Sequence, residues 1–193
     1  MGLSAFCLSC AAPQPVAPDA DHFALLGLPR RLDLDVAELE RRYHAAARLV
    51  HPDRHQTASA DEQALSVAAS AALNRAYRTL RDPVARGRYW LELHGDSLGA
   101  ANNRVPPELA ALVFEVQEQL AELRAGRGDA AAVAGVREAL ASRLADEVAA
   151  LEREFAAHPT EHDAGVLAAL KRRLSDIAYV RTLLRDVDAA RGG

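Results

Sequence analysis

The chain has 193 residues, half of them apolar and about a quarter charged, with aromatics at 5%. That length suits one or two compact domains, and the alanine- and leucine-rich composition favours helices around aliphatic cores. A net charge of −4 argues against a nucleic-acid coat protein, and no run approaches the roughly 18 apolar residues of a membrane helix.

Residues 1–20 read as a flexible tail. Met1–Cys10 has no basic segment and too short an apolar run for a secretory signal, so the chain reads as cytoplasmic. The only cysteines, Cys7 and Cys10, form a single C-x-x-C ahead of Pro13, Pro15 and Pro18. A structural zinc site usually takes four ligands, and no second pair follows. Cys7 and Cys10 are therefore weak metal candidates, leaving sharing between chains or with His22 open. No cofactor is expected.

Asp21 caps a short apolar segment, His22–Leu26, that stops at Gly27 and Pro29. Asp35 and Glu38 have the spacing of a capping box and open a helix through Leu39, Tyr43, Ala46 and Val50. Pro52 ends it, because its ring removes a backbone donor and restricts His51. After a polar loop, Ser59 and Glu62 form a second capping box, and a long alanine-rich helix runs to about Arg81. Asp82-Pro83 breaks it and starts a short helix with Tyr89, Trp90 and Leu93, closed by Gly95.

Residues 96–105 read as a linker, rich in Gly, Asn and Ser. Helices are then expected at about Pro107–Arg124, Ala130–Ala157 and Glu161–Ala190, with Asp129 and Thr160 as N-caps. Short breaks between long helices favour an antiparallel three-helix bundle, here over residues 106–190. Charge divides between the halves. Residues 20–95 carry 11 Lys/Arg against 10 Asp/Glu, and residues 96–193 carry 12 against 16.

His51-Pro52-Asp53 is where chemistry and architecture meet. Pro52 stiffens the loop and so lowers the entropic cost of docking. Asp53 offers a carboxylate to an arginine fork, and His51 a ring that donates or accepts. Arg41, Arg42, Arg48 and Arg54 lie on or just after the preceding helix, and positions seven apart share a face. Such charges mainly speed encounter with an acidic surface. No nucleophile–base pair or phosphate-cradling glycine loop is present, which disfavours an intrinsic enzyme. Lys171-Arg172-Arg173 reads as a solvated face.

The helix, the His-Pro-Asp loop and a following helix ending in Asn74-Arg75-Ala76-Tyr77-Arg78-Thr79-Leu80-Arg81-Asp82-Pro83 resemble a J-domain over residues 21–95. Asp21-His22-Phe23-Ala24-Leu25-Leu26-Gly27-Leu28-Pro29 resembles its opening segment. With the bundle behind it, the whole of residues 21–190 resembles the HscB family, J-type co-chaperones of iron–sulfur cluster assembly. The Gly/Phe-rich linker and four-fold cysteine zinc domain of DnaJ-type proteins are absent.

That resemblance implies an all-α, L-shaped, two-domain co-chaperone with two partners. A DnaK-class ATPase chaperone of the HscA type would be stimulated through His51, Pro52, Asp53 and the four arginines. An IscU-type iron–sulfur scaffold would bind an apolar patch rimmed by acid. The matching residues here are Ala110, Ala111, Phe114, Glu115 and Glu118, with Tyr179 on the last helix. Family members usually carry larger side chains where Ala110 and Ala111 stand. Neither nucleic acid nor membrane is expected as a partner. Recruitment of another client, a helical nucleic-acid-binding module and a metal-sensing cysteine pair are the alternatives.

Overall fold

The computed structural model describes residues 5–7, 9, 12–99, 109–125, 127 and 129–191. Among these residues the regular structure is helical, with one isolated bridge between Phe6 and Pro13 and no strand. The chain packs as two units, Met1–Trp90 with His158–Thr160, and Leu91–Ala157 with Glu161–Gly193.

The first unit holds α1 (His22–Leu25), α2 (Val36–Val50), a 3-10 turn (Pro52–His55), α3 (Ala60–Arg81) and most of α4 (Pro83–Leu93). Asp21 Oδ1 caps α1 by accepting from Phe23 N–H at 2.9 Å. Gly27 then turns the chain at φ 63°, a conformation that side chains rarely adopt. A Cβ there would also meet Arg42 Nη1 at 3.0 Å.

Helices α2 and α3 run antiparallel. Tyr43 O–H donates to Asn74 Oδ1 at 2.6 Å, and Tyr77 O–H donates to Glu40 Oε1 at 3.1 Å. Three residues back on α2 thus answer three residues forward on α3. The Tyr43 and Tyr77 rings stack at 4.2 Å between these bonds. Leu39, Ala46 and Val50 of α2 and Ala69, Ala72, Leu73, Ala76 and Leu80 of α3 are buried. Truncating fully buried Leu73 to alanine would cost roughly 2–5 kcal/mol.

Both expected capping boxes form only by half. Asp35 Oδ1 accepts from Ala37 N–H and Ser59 Oγ from Glu62 N–H. Neither glutamate reaches back to its cap. Glu38 meets Arg41 and Arg42, and Glu62 meets His55. A bond to a guanidinium or an imidazole nitrogen replaces one to a backbone N–H.

In the described part of the expected tail, Cys7 N–H donates to Ala12 O at 2.8 Å, Gln14 N–H to Ala5 O at 3.0 Å and Ala20 N–H to Ala17 O at 3.1 Å. Ala5 and Pro13 are buried. Cys10, linker residues 100–105 and Pro107 lie outside the described residues.

The second unit contains α5 (Ala110–Arg124), α6 (Ala130–Ala157) and α7 (Ala164–Arg191). Asp129 caps α6 as expected, its Oδ1 accepting from Ala131 N–H at 2.9 Å. Helix α7 starts at Ala164 rather than Glu161, and Asp163 rather than Thr160 caps it. Asp163 Oδ1 accepts from Gly165 and Val166 N–H at 2.9 and 3.1 Å, and a carboxylate also complements the positive helix end. Leu109, Val116, Leu120, Val133, Val136, Leu140, Val180, Leu183 and Val187 form one core. Farther along, buried Glu147 pairs with Arg143 and Arg173 at 2.7 Å each, and Arg173 also holds Glu154 at 2.6 Å. The buried carboxylate is thus compensated from both helices.

Candidate functional site

His51 occupies the joint between α2 and the 3-10 turn, with extended backbone at φ −61° and ψ 129°. This is the conformation that a following proline imposes. His51 Nδ1 accepts from Asp53 N–H at 3.3 Å, so the ring caps the turn it precedes. Asp53 Oδ2 stands 3.6 Å from the same nitrogen. The His51 and Asp53 side chains are 58% and 74% exposed, and Pro52 is half-buried. The motif therefore faces solvent, with His51 Nε2, which has no hydrogen-bond partner among the described residues, and the exposed Asp53 carboxylate turned to a partner.

The turn buries no residue of its own. It is held from outside. Ser66 and Ser70 of α3 donate to Val50 O at 2.7 and 3.0 Å. The His55 ring contacts Leu49 O through Nε2 and Glu62 Oε1 through Nδ1, both at 3.1 Å. Gln63 Nε2 donates to the carbonyls of Gln56 and Ala58, each at 3.0 Å. The sequence reading missed all four side chains. Ser66 and Ser70 left one signal: two hydroxyls a helical turn apart on a stripe that otherwise buries alanine and leucine.

The four candidate arginines are exposed but differently engaged. Arg41 and Arg42 share one carboxylate, Glu38, at 2.7 and 2.5 Å. Arg42 also donates to Gly27 O at 2.6 Å. The hydrogen bonds from Arg42 and then Arg41 hold the Glu38 carboxyl below its usual range. Arg48 and Arg54 have no ion-pair partner among the described residues. With His44, Ala47 and His51 they line an open concavity of about 420 Å³. The structure thus gathers His51, Arg48 and Arg54 at one surface feature and leaves Arg41 and Arg42 tied to the start of α2.

A second candidate surface lies on α5. At about 100° per residue, Ala110, Ala111, Phe114, Glu115 and Glu118 span an arc of about 140°. All five are exposed, and Phe114 is 72% exposed. Val116 and Leu120 project from the opposite side into the bundle core. Phe114 is therefore an apolar side chain in water, flanked by two small residues and two carboxylates. Tyr179 differs: it is half-buried and packed against the bundle core. Among the described residues no group of three or more His, Cys, Asp or Glu could hold a metal ion. No helix among them is long and apolar enough to cross a membrane.

The comparisons with known proteins agree with this geometry. A DnaJ-domain family model matches residues 21–89, which contain α1–α3, the turn and most of α4. An HscB co-chaperone homologue of Bordetella petrii is 37% identical over 173 residues, covering 89% of this chain and 96% of the relative. Human iron–sulfur cluster co-chaperone HscB is 36% identical over 118 residues, covering 61% of this chain and 50% of the relative. The crystal structure of human HscB superposes with a TM-score of 0.72 at 25% identity, covering 97% of this chain and 90% of that one. HscB from Vibrio cholerae shares the fold, with a TM-score of 0.66 at 24% identity over 89% of this chain and 98% of that one.

These matches define a J-domain protein with a helical bundle behind the J-domain. The chain belongs to the HscB family of iron–sulfur cluster co-chaperones.

Proposed function

We propose that this chain stimulates ATP hydrolysis by a DnaK-class chaperone of the HscA type while presenting to it an IscU-type iron–sulfur scaffold. The observation that carries the reading is the solvent-facing His51-Pro52-Asp53 turn, anchored by side chains of α3 inside a DnaJ-domain match. Asp53 and His51 supply acceptor and donor groups to the chaperone, and Pro52 limits the conformations lost on docking. Arg48 and Arg54 extend that contact with free positive charge. Arg41 and Arg42 add field at longer range.

The α5 face is the scaffold surface in this reading. Exposed Phe114 acts as the anchor and Glu115 and Glu118 as its acidic rim, with Ala110 and Ala111 leaving room for a partner side chain beside the ring. Tyr179 supports the bundle from within. Two sites on one chain raise the local concentration of cargo at the chaperone. The chemistry belongs to the partner, and both partners are proteins of the cytoplasm, not nucleic acids or lipids.

Single-turnover ATP hydrolysis by an HscA-type chaperone tests the first half. Stimulation by the parent and its loss in His51→Gln is the expected result. Equal stimulation by both proteins would overturn the reading.

A further inference from the structure

We infer that His55, outside the His-Pro-Asp string, is a positioning residue for it, acting as a clasp across the mouth of the turn. The inference rests on the docking role proposed for His51-Pro52-Asp53. None of residues 52–55 is fully buried. Apart from the internal backbone bonding of the 3-10 turn, bonds within residues 51–58 include His51 Nδ1 with Asp53 N–H at 3.3 Å, Arg54 N–H to His51 O at 2.9 Å, Ala58 N–H to His55 O at 3.0 Å and a 3.4 Å contact from Gln56 to Asp53. Exposed bonds of this kind open readily, so the shape of the turn depends on its anchors.

His55 is the anchor that reaches both sides. Leu49 stands in the last turn of α2 and Glu62 in the first turn of α3. One imidazole meets both, each at 3.1 Å, with its side chain only 12% exposed. Both partners carry acceptor oxygens, a carbonyl and a carboxylate, and the tautomer sets which ring nitrogen donates. His51 makes the contrast. Its ring is 58% exposed, and among the described residues its hydrogen bond and ion-pair contact are with Asp53, one side of the joint. Two histidines four residues apart thus divide the work: one is presented, the other holds the presentation.

Without the clasp, residues 51–54 sample more conformations, and a partner must order them on binding. The cost falls on affinity rather than on the triggered step. His55→Ala and Glu62→Ala should each raise the concentration giving half-maximal stimulation on the order of tenfold, with the maximum retained. Glu62→Gln keeps an amide oxygen for the ring and should stay close to the parent. The double variant His55→Ala/Glu62→Ala should be no worse than His55→Ala alone, because removing the ring already breaks the Glu62 contact.

The test uses the full chain and titrates it against an HscA-type chaperone, alongside amide hydrogen exchange of the free protein. Faster exchange at Arg54 and Ala58, with Leu73 and Leu80 unchanged, is expected for His55→Ala. An unchanged half-maximal concentration, damage by Glu62→Gln equal to that by Glu62→Ala, or faster exchange throughout the domain would overturn the inference. If His51→Gln stimulated as well as the parent, the docking role would fall instead. The exchange comparison would then still decide whether His55 holds the turn.

Discussion

Ser66 Oγ donates to Val50 O at 2.7 Å, joining the buried middle of α3 to the last residue of α2. That carbonyl also accepts from Ser70 at 3.0 Å. It belongs to the C-terminal end of α2, where carbonyls lack helical partners. Removing one hydroxyl leaves the carbonyl served by the other. Ser66→Ala is therefore expected to cost about 1 kcal/mol and Ser70→Ala less. The double variant should cost more than the sum, because the carbonyl is then left without a side-chain donor. Urea denaturation of the three variants checks this, and strict additivity would contradict it.

The arginines should not be equivalent. Arg48 and Arg54 line the concavity with His51 and have no ion-pair partner among the described residues, whereas Arg41 and Arg42 already neutralise Glu38. Charge reversal at Arg48 should slow association with the chaperone more than reversal at Arg41. Both defects should shrink as salt rises toward a Debye length of about 8 Å at physiological ionic strength. Stopped-flow association at several salt concentrations separates the two. Equal effects, or effects indifferent to salt, would place the positive contact elsewhere.

Phe114 and Tyr179 should part company in a stability measurement. Phe114 is 72% exposed, so Phe114→Ala should change unfolding free energy by no more than about 0.5 kcal/mol. Scaffold affinity should nevertheless fall at least tenfold, the loss of about 1.4 kcal/mol that an interface anchor carries. Tyr179 packs on the bundle core, so Tyr179→Ala should destabilise by about 1–3 kcal/mol. Thermal melts and scaffold titrations of the two variants provide the comparison. A destabilised Phe114→Ala protein with unchanged scaffold affinity would reverse the assignment.

Tyr89 gives the first unit an alkaline limit. Its hydroxyl accepts from His22 N–H at 3.0 Å and donates to Asp21 Oδ1 at 3.2 Å. Burial, aided by the Asp21 carboxylate, pushes its pKa up to about 12. An unfolded tyrosine titrates near 10. Between about 10 and 12 the unfolded chain has lost a proton that the folded chain keeps, so stability is full below that window and falls as pH rises through it. Tyr89→Phe should flatten the fall in denaturant midpoint over that range. Identical slopes for the parent and Tyr89→Phe would contradict the assignment.

Much of this architecture is written locally. Asp21, Asp35, Ser59 and Asp129 announce helix starts because each can bond the N–H groups just after it. Pro52 and Pro83 mark breaks because they cannot continue a helix. The start of α7 was less legible, since Thr160 and Asp163 are both competent caps. The partners of Glu38 and Glu62 were illegible for a different reason. Each can reach its own helix end or a neighbouring side chain, and tertiary placement decides.

The same limit applies to the site. Three letters suffice to find His51-Pro52-Asp53, but its supports bridge 5 to 20 residues of sequence and mostly join side chains to backbone. On α5, Leu112, Val113, Phe114 and Val116 offer apolar groups in several directions. Only packing against α6 and α7 turns Val116 inward and leaves Phe114 in solvent.

The coupling of trigger to cargo is tested most directly by steady-state ATP hydrolysis of an HscA-type chaperone, with and without an IscU-type scaffold. Parent, His51→Gln and Phe114→Ala proteins would be added in turn. The parent should stimulate alone and stimulate further with scaffold. His51→Gln should do neither, and Phe114→Ala should keep the first effect and lose the second at sub-saturating scaffold. Full scaffold-dependent stimulation by Phe114→Ala, or any stimulation by His51→Gln comparable to the parent, would contradict the account.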